Sequence, residues 1–198
     1  TMATLACARA LARACRAARP LGRLWLSFHP RRGDRRGGGG AAPPGGGVVV
    51  SADGASVHAA VSLAREHGAE ALLFNCATPE LIQLAVAEAS ALAAAGAGVG
   101  DGSPLRIGGY GNFWEEADMR GWSIDKNETV SGAADHKAGG LVVRADLSTE
   151  RYASAACNWI DAGASIVGGC CGIGIDMMAA VCRRVRARSG RSSEKTER

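Results

Sequence analysis

Aromatic residues are scarce in this 198-residue chain: Phe, Trp and Tyr together make up 5%. Arginine-rich stretches without interleaved aromatics, and without an RNA-binding motif, do not read as a nucleic-acid face. No run of about 18 apolar residues occurs, so the sequence offers no membrane-spanning helix. There is no phosphate loop, no nucleophile elbow and no dinucleotide fingerprint, which removes the commonest nucleotide-binding and acyl-transfer readings. No Cys-x-x-Cys pair is present to strengthen a metal reading of the cysteines. Acids are missing from residues 1–33, where seven arginines stand (Arg9, Arg13, Arg16, Arg19, Arg23, Arg31 and Arg32).

What is there suits one globular domain. Apolar residues reach 47%, too many for a disordered chain. Residues 1–23 form a basic Ala/Arg-rich segment with two readings. Arg-rich, acid-poor starts occur in organelle transit peptides. Leu5, Leu11, Cys15 and Ala18 also fall near one face of an amphipathic helix. The expected location is cytoplasmic, with organelle targeting left open by that start. The Gly/Pro-rich stretch 33–47 reads as a loop or insertion. Residues 24–182 carry the regular pattern, and the basic stretch 183–198 reads as a solvated tail.

Within 24–182 the chain alternates apolar runs with helical patterns. Val48 to Val50 reads as a short strand. Ser56 to His67 reads as a helix with Val57, Val61 and Ala64 on one face and Gly68 past its end. The run 71-ALLF-74 reads as a buried strand ending at Cys76. Thr78 then caps a helix that carries Pro79 at its first position and extends to about Ala95. Leu105 to Tyr110 reads as a strand, and Gly108-Gly109 as a turn signal. Ser148 to Asp161 reads as a helix. It leads into 163-GASIVGGCC-171 and a last helix from about Asp176. Fully apolar strands alternating with helices indicate a parallel sheet, an α/β fold with ligands at the carboxyl ends of the strands.

Cys76, Cys170 and Cys171 stand at those carboxyl ends. Three thiolates from two strands suit a zinc ion, which takes sulfur ligands in a tetrahedron and can keep one position open. Neighbouring residues of a regular strand point to opposite faces. Gly168, Gly169 and Gly172 would relax the backbone and let both sulfurs turn to one ion. Small buried hydrophobe is the other reading of any cysteine. It is the one favoured for Cys7, Cys15, Cys157 and Cys182. The seven cysteines are odd in number and scattered, which does not suit a disulfide scaffold. His29, His58, His67 and His136 have no partners at ligand spacing and read as exposed polar residues.

The stretches 74-FNCATPELI-82, 110-YGN-112 and 152-YASAACNWIDAGASIVGGCCGIG-174 resemble the homocysteine S-methyltransferases, and 24-LWLSF-28 is similar to the family's strand ending in Ser-Phe. The resemblance implies a (β/α)8 TIM-type barrel, of which strands five to eight are present here. A complete barrel takes about 250 residues. The resemblance places the first half outside this sequence, with the acidic residues that hold the substrate's amino group. It implies transfer of a methyl group to the thiol of L-homocysteine, forming methionine, with Zn2+ on Cys76, Cys170 and Cys171. It makes Asn75, Tyr110 and Asn112 candidate substrate contacts. The methyl donor is left open among S-methylmethionine, betaine and S-adenosylmethionine. Ile175-Asp176-Met177-Met178 departs from the Pro-Glu-His-Ile that the family often carries there. The alternative is an inactive zinc- or thiol-binding half-barrel that works only by pairing with another chain. A homo-oligomer suits either reading; no nucleic-acid or membrane partner is expected.

Overall fold

All five side chains of 71-ALLFN-75 are buried, as a strand covered on both faces demands. This strand lies inside a four-stranded sheet. The computed structural model describes residues 4–19, 22–33, 47–51, 53–96, 103–115 and 143–194. Its elements in chain order are α1 (Leu5–Ala18), β1 (Trp25–Phe28), β2 (Arg31–Arg32), β3 (Val48–Val49), α2 (Val57–Glu66), β4 (Ala71–Asn75), α3 (Pro79–Ala95), β5 (Arg106–Gly111), α4 (Thr149–Asp161), β6 (Ile166–Gly169) and α5 (Ile175–Glu194). The main sheet is parallel and runs β1-β4-β5-β6; β2 and β3 form a separate antiparallel pair. His136, Asp101-Gly102 and residues 34–46 lie outside the described residues.

The helices start and stop where the side chains instruct. Ser56, Thr78 and Ser148 each accept a backbone amide bond as N-caps, from Ala59, Leu81 and Arg151. Helices α2 and α4 end in the same way. Gly68 and Gly163 adopt left-handed φ values of 60° and 104°. In both turns the amide after the glycine bonds five residues back: Ala69 to Ala64 O at 2.7 Å and Ala164 to Trp159 O at 2.9 Å. That is the Schellman ending, which needs glycine at the left-handed position.

Sequential strand order has a consequence. Right-handed crossovers between parallel neighbours taken always in one direction place every helix on one face of the sheet. Contacts agree. A Cβ on Gly109 would lie 2.3 Å from Ile82 of α3, and one on Gly111 would lie 3.3 Å from Trp159 of α4. Leu26, Phe28, Leu72, Phe74 and Ile107 share this helix-covered face by register and are buried. The opposite face carries Trp25, Ser27, Leu73, Asn75 and Tyr110. A doubly wound sheet would instead reverse its strand order.

Four expectations need correction. Gly108 and Gly109 are not a turn but two buried positions inside β5, where the missing side chains admit Ile82 on one face and Ile166 on the other. Helix α1 buries Ala8 and Ala12, with Leu5 packed beside them, while Leu11, Cys15 and Ala18 of the expected face are exposed; Leu11 is 50% exposed. It joins the domain through small residues and through Arg16, whose guanidinium donates to the carbonyls of His67, Gly68 and Gly22. The stretch from Arg183 is helical to Glu194, with Arg184 paired to Glu150 and Arg188 to Asp161. Of Cys7, Cys15, Cys157 and Cys182, only Cys157 is buried.

Candidate metal centre

The sheet delivers three sulfurs to one place. Strand β4 ends at Asn75 and β6 at Gly169, and both carboxyl ends lie at the same rim because the strands are parallel. Beyond Gly169 the chain turns. Ile173 N donates to Cys170 O at 3.1 Å, and Gly172 holds φ 77° at the third position of that turn. A positive φ there is what a type II turn requires. Cys170 and Cys171 thus sit in a turn rather than in a strand, which is how adjacent side chains reach one site. Gly168 and Gly169 keep strand conformation, so only Gly172 has the relaxing role expected of all three.

The Sγ atoms of Cys76, Cys170 and Cys171 all lie within 4.8 Å of one another. Cys76 and Cys171 are 3.5 Å apart and Cys170 and Cys171 3.9 Å. Sulfurs about 2.3 Å from one tetrahedral zinc stand about 3.8 Å apart. The donor set therefore fits zinc in both chemistry and spacing. It is the one such cluster of His, Cys, Asp or Glu among the described residues. Proton sharing between the thiols splits their acidities. The bond with Cys76 lowers Cys170 to about 6, against burial that pushes the other way. Sharing with Cys170, and then burial, raise Cys76 above the ordinary thiol range.

Cys76 is the only described non-glycine residue with positive φ, at 56°. A side chain in that region costs about 1–2 kcal/mol. The bonds around it are complete. Cys76 N donates to Tyr110 O at 3.0 Å, and Asn112 Nδ2 donates to Cys76 O at 2.8 Å. Asn112 is fully buried, and its Oδ1 accepts from Trp114 N at 3.2 Å. Its side chain is thus engaged with backbone at both ends. Asn75 and Tyr110 differ. They share the face of the sheet opposite the helices, joined through Ser27: Tyr110 Oη lies 2.7 Å from Ser27 Oγ, and Ser27 Oγ donates to Asn75 Oδ1 at 2.8 Å. Since Ser27 has one proton to give, Tyr110 is the donor to Ser27. This row crosses β1, β4 and β5 next to Cys76.

Two residues were not foreseen at this rim. Ser27 carried a signal, as the one polar position between Leu26 and Phe28 at a strand's carboxyl end. His29 was expected to be exposed. Its Nδ1 instead lies 3.1 Å from Asn75 O, and burial lowers its pKa below the ordinary 6.5. At the amino ends of the strands the residues are of another kind. Trp25 Nε1 donates to Glu70, and Arg106 lies over the Trp25 ring and pairs with Glu70 at 3.1 Å. Such ties at the amino ends hold the sheet together, away from the thiol rim.

A single-sided parallel α/β sheet with a three-thiol cluster at its carboxyl rim defines a class, and comparison with known proteins defines the family. The profile of the homocysteine S-methyltransferase family matches residues 1–185, and the chain belongs to that family. Its fold is similar to the homocysteine methyltransferase MmuM from Escherichia coli. The apo form superposes with a TM-score of 0.54 at 20% identity, covering 93% of this chain and 47% of that one. The oxidised form gives 0.55 at 20% identity, covering 91% and 42%. The metallated form gives 0.51 at 20% identity, with the same coverage. The chain therefore spans about half the length of these proteins. No curated protein sequence matches it.

Proposed function

We propose that this chain carries the zinc-binding half of a homocysteine S-methyltransferase barrel, strands five to eight of eight. The observation that carries the reading is the convergence of the Cys76, Cys170 and Cys171 sulfurs within 4.8 Å at the rim of a family member's parallel sheet. The three thiolates would hold Zn2+, which supplies an acidified position where a fourth thiol, that of L-homocysteine, becomes a nucleophilic thiolate at neutral pH. The chain's own residues do the rest. Three thiolates carry three negative charges, so the site's net charge keeps a bound sulfur electron-rich. The Tyr110–Ser27–Asn75 row presents a phenol and a carboxamide beside Cys76 to orient the substrate's polar end. Methyl transfer from S-methylmethionine, betaine or S-adenosylmethionine would then give methionine.

The metallated form of MmuM supports the metal part of this reading by likeness of fold. The share of MmuM covered, 42–47%, favours a second reading in one respect. Turnover by this half would need complementary strands, from a further segment or from a second chain. The test is elemental analysis of protein purified without added metal, followed by methyl-transfer assays with each donor and size measurement in the same preparation. About one zinc per chain with methionine formed from homocysteine supports the enzyme. Zinc without turnover in a lone monomer supports the pairing half-barrel. Folded protein that binds no zinc overturns both.

A further inference from the structure

We propose that Asn112 is a positioning residue: its buried amide holds Cys76 in the left-handed conformation from which the Cys76 sulfur meets those of Cys170 and Cys171. The proposal rests on the zinc reading above and names the residue that shapes its first ligand. A glycine would adopt a φ of 56° without penalty, but this position needs a sulfur, so the conformation must be held from outside. Two torsions have to be fixed. The peptide plane before Cys76 is set by its N–H bond to Tyr110 O, at 3.0 Å. The plane after it is set by the bond from Asn112 Nδ2 to Cys76 O, at 2.8 Å. The first bond belongs to the strand pairing. The second comes from the Asn112 side chain.

Asn112 is built for that task. It is fully buried, where packing alone would favour an apolar residue. Its Oδ1 accepts from Trp114 N, which turns the donor end of the amide toward Cys76. Its own N–H donates to Ala77 O at 2.9 Å, so the residue grips the consecutive carbonyls of Cys76 and Ala77. One residue further on, Phe113 N donates to Cys171 O at 3.0 Å. The segment 112–113 therefore spans from one cysteine strand to the other and sets the separation of their sulfurs. Without the Asn112 bond, Cys76 relaxes toward ordinary φ and its sulfur leaves the cluster.

The test compares the full chain with Asn112→Ala and Asn112→Asp, with Trp159→Phe as a control. The control loses a buried bond to Pro79 O at 3.0 Å on the helix side of the sheet. Zinc affinity is read by chelator competition, and the thiolate count by the sulfur-to-metal absorption of the cobalt-loaded protein. Groups that orient metal ligands typically change affinity about 10–100-fold. The expected result is about a tenfold loss of zinc affinity and a weaker cobalt–sulfur band in both Asn112 variants, with neither changed in Trp159→Phe. In metal-free protein, dibromobimane should bridge Cys76 to Cys171 more slowly in the Asn112 variants. Unchanged affinity, band and bridging overturn the proposal. If the unsubstituted chain binds no zinc, the zinc reading falls and the bridging rates alone decide Asn112. Should both variants fail to fold, hydrogen exchange of the unsubstituted chain decides. Asn112 side-chain amide protons that exchange slowly, and slower still with zinc, support the proposal. Exchange at the rate of an exposed amide overturns it.

Discussion

Two stretches of this chain are built alike and placed differently. In each, a helix ends at a glycine in left-handed conformation, an alanine follows, a short strand runs to the rim, and cysteine stands at its end: α2, Gly68, β4, Cys76 in one, and α4, Gly163, β6, Cys170-Cys171 in the other. The first lies inside the sheet, with every side chain of β4 buried. The second forms an edge, and its strand is half-exposed throughout. The interior unit supplies one sulfur, on a residue strained into place. The edge unit supplies two, on a turn that reaches them cheaply through Gly172. The difference teaches that repeating a local pattern does not repeat its duty. Burial decides which copy bears the fold and which is free to bend around a ligand.

Breaking the comparison at its sulfurs should have the largest effect. Cys170→Ser is expected to abolish stoichiometric zinc and methyl transfer together while the circular dichroism of the fold persists. Zinc and activity both retained in that variant would remove the basis for the site. Next comes the contrast of strands. Phe74→Ala in the interior strand removes a fully buried ring and should destabilise by about 3–5 kcal/mol. Val167→Ala in the edge strand is half-buried and should fall below about 1.5 kcal/mol, the range of a small methyl deletion. Urea unfolding of both variants measures the gap, and equal losses would mean that the edge is as well covered as the interior.

The two glycine turns sharpen the comparison further. Alanine at either adopts left-handed φ at about 1–2 kcal/mol. At Gly163 the new Cβ would also lie 2.7 Å from Ser90, whereas at Gly68 the nearest atom is the tip of Arg16 at 3.3 Å. Gly163→Ala should therefore lower the melting temperature more than Gly68→Ala does. The smallest effect is on pH. Burial holds the folded-state pKa of His29 below the ordinary 6.5, so the unfolded chain takes up its proton first. Stability is then fully present above about pH 6.5, falls as the pH drops from there toward the folded pKa, and levels off below it. Titrating the urea midpoint of His29→Gln against the unsubstituted chain should show a shallower fall.

Much of this architecture is legible in the sequence because it is written locally. Ser56, Thr78-Pro79 and Ser148 mark helix starts, Gly68 and Gly163 mark stops, and the apolar run from Ala71 marks the interior strand. The cysteine cluster follows from topology, since parallel strands bring their carboxyl ends to one rim. What was not legible depends on partners distant in the chain. Gly108 and Gly109 carry no side chain to announce a strand, and only the packing of Ile82 and Ile166 explains them. Ala8 and Ala12 give too little hydrophobic contrast to mark the buried face of α1. The role of Asn112 depends on a carbonyl 36 residues away, and the row through Ser27 on register between three strands.

The β2–β3 pair has a use that its small size conceals. Gly33 N donates to Gly47 O at 3.0 Å, and Arg31 and Arg32 pair with Val49 and Val48, so the two ends of the intervening stretch are fastened to each other before the chain returns to α2. The fastening isolates the sheet from whatever lies between. Doubling the length of a flexible connection adds only about 0.6 kcal/mol to its closure. A longer insertion between Gly33 and Gly47 should therefore cost little in closure, with its two ends still held together by the antiparallel pair.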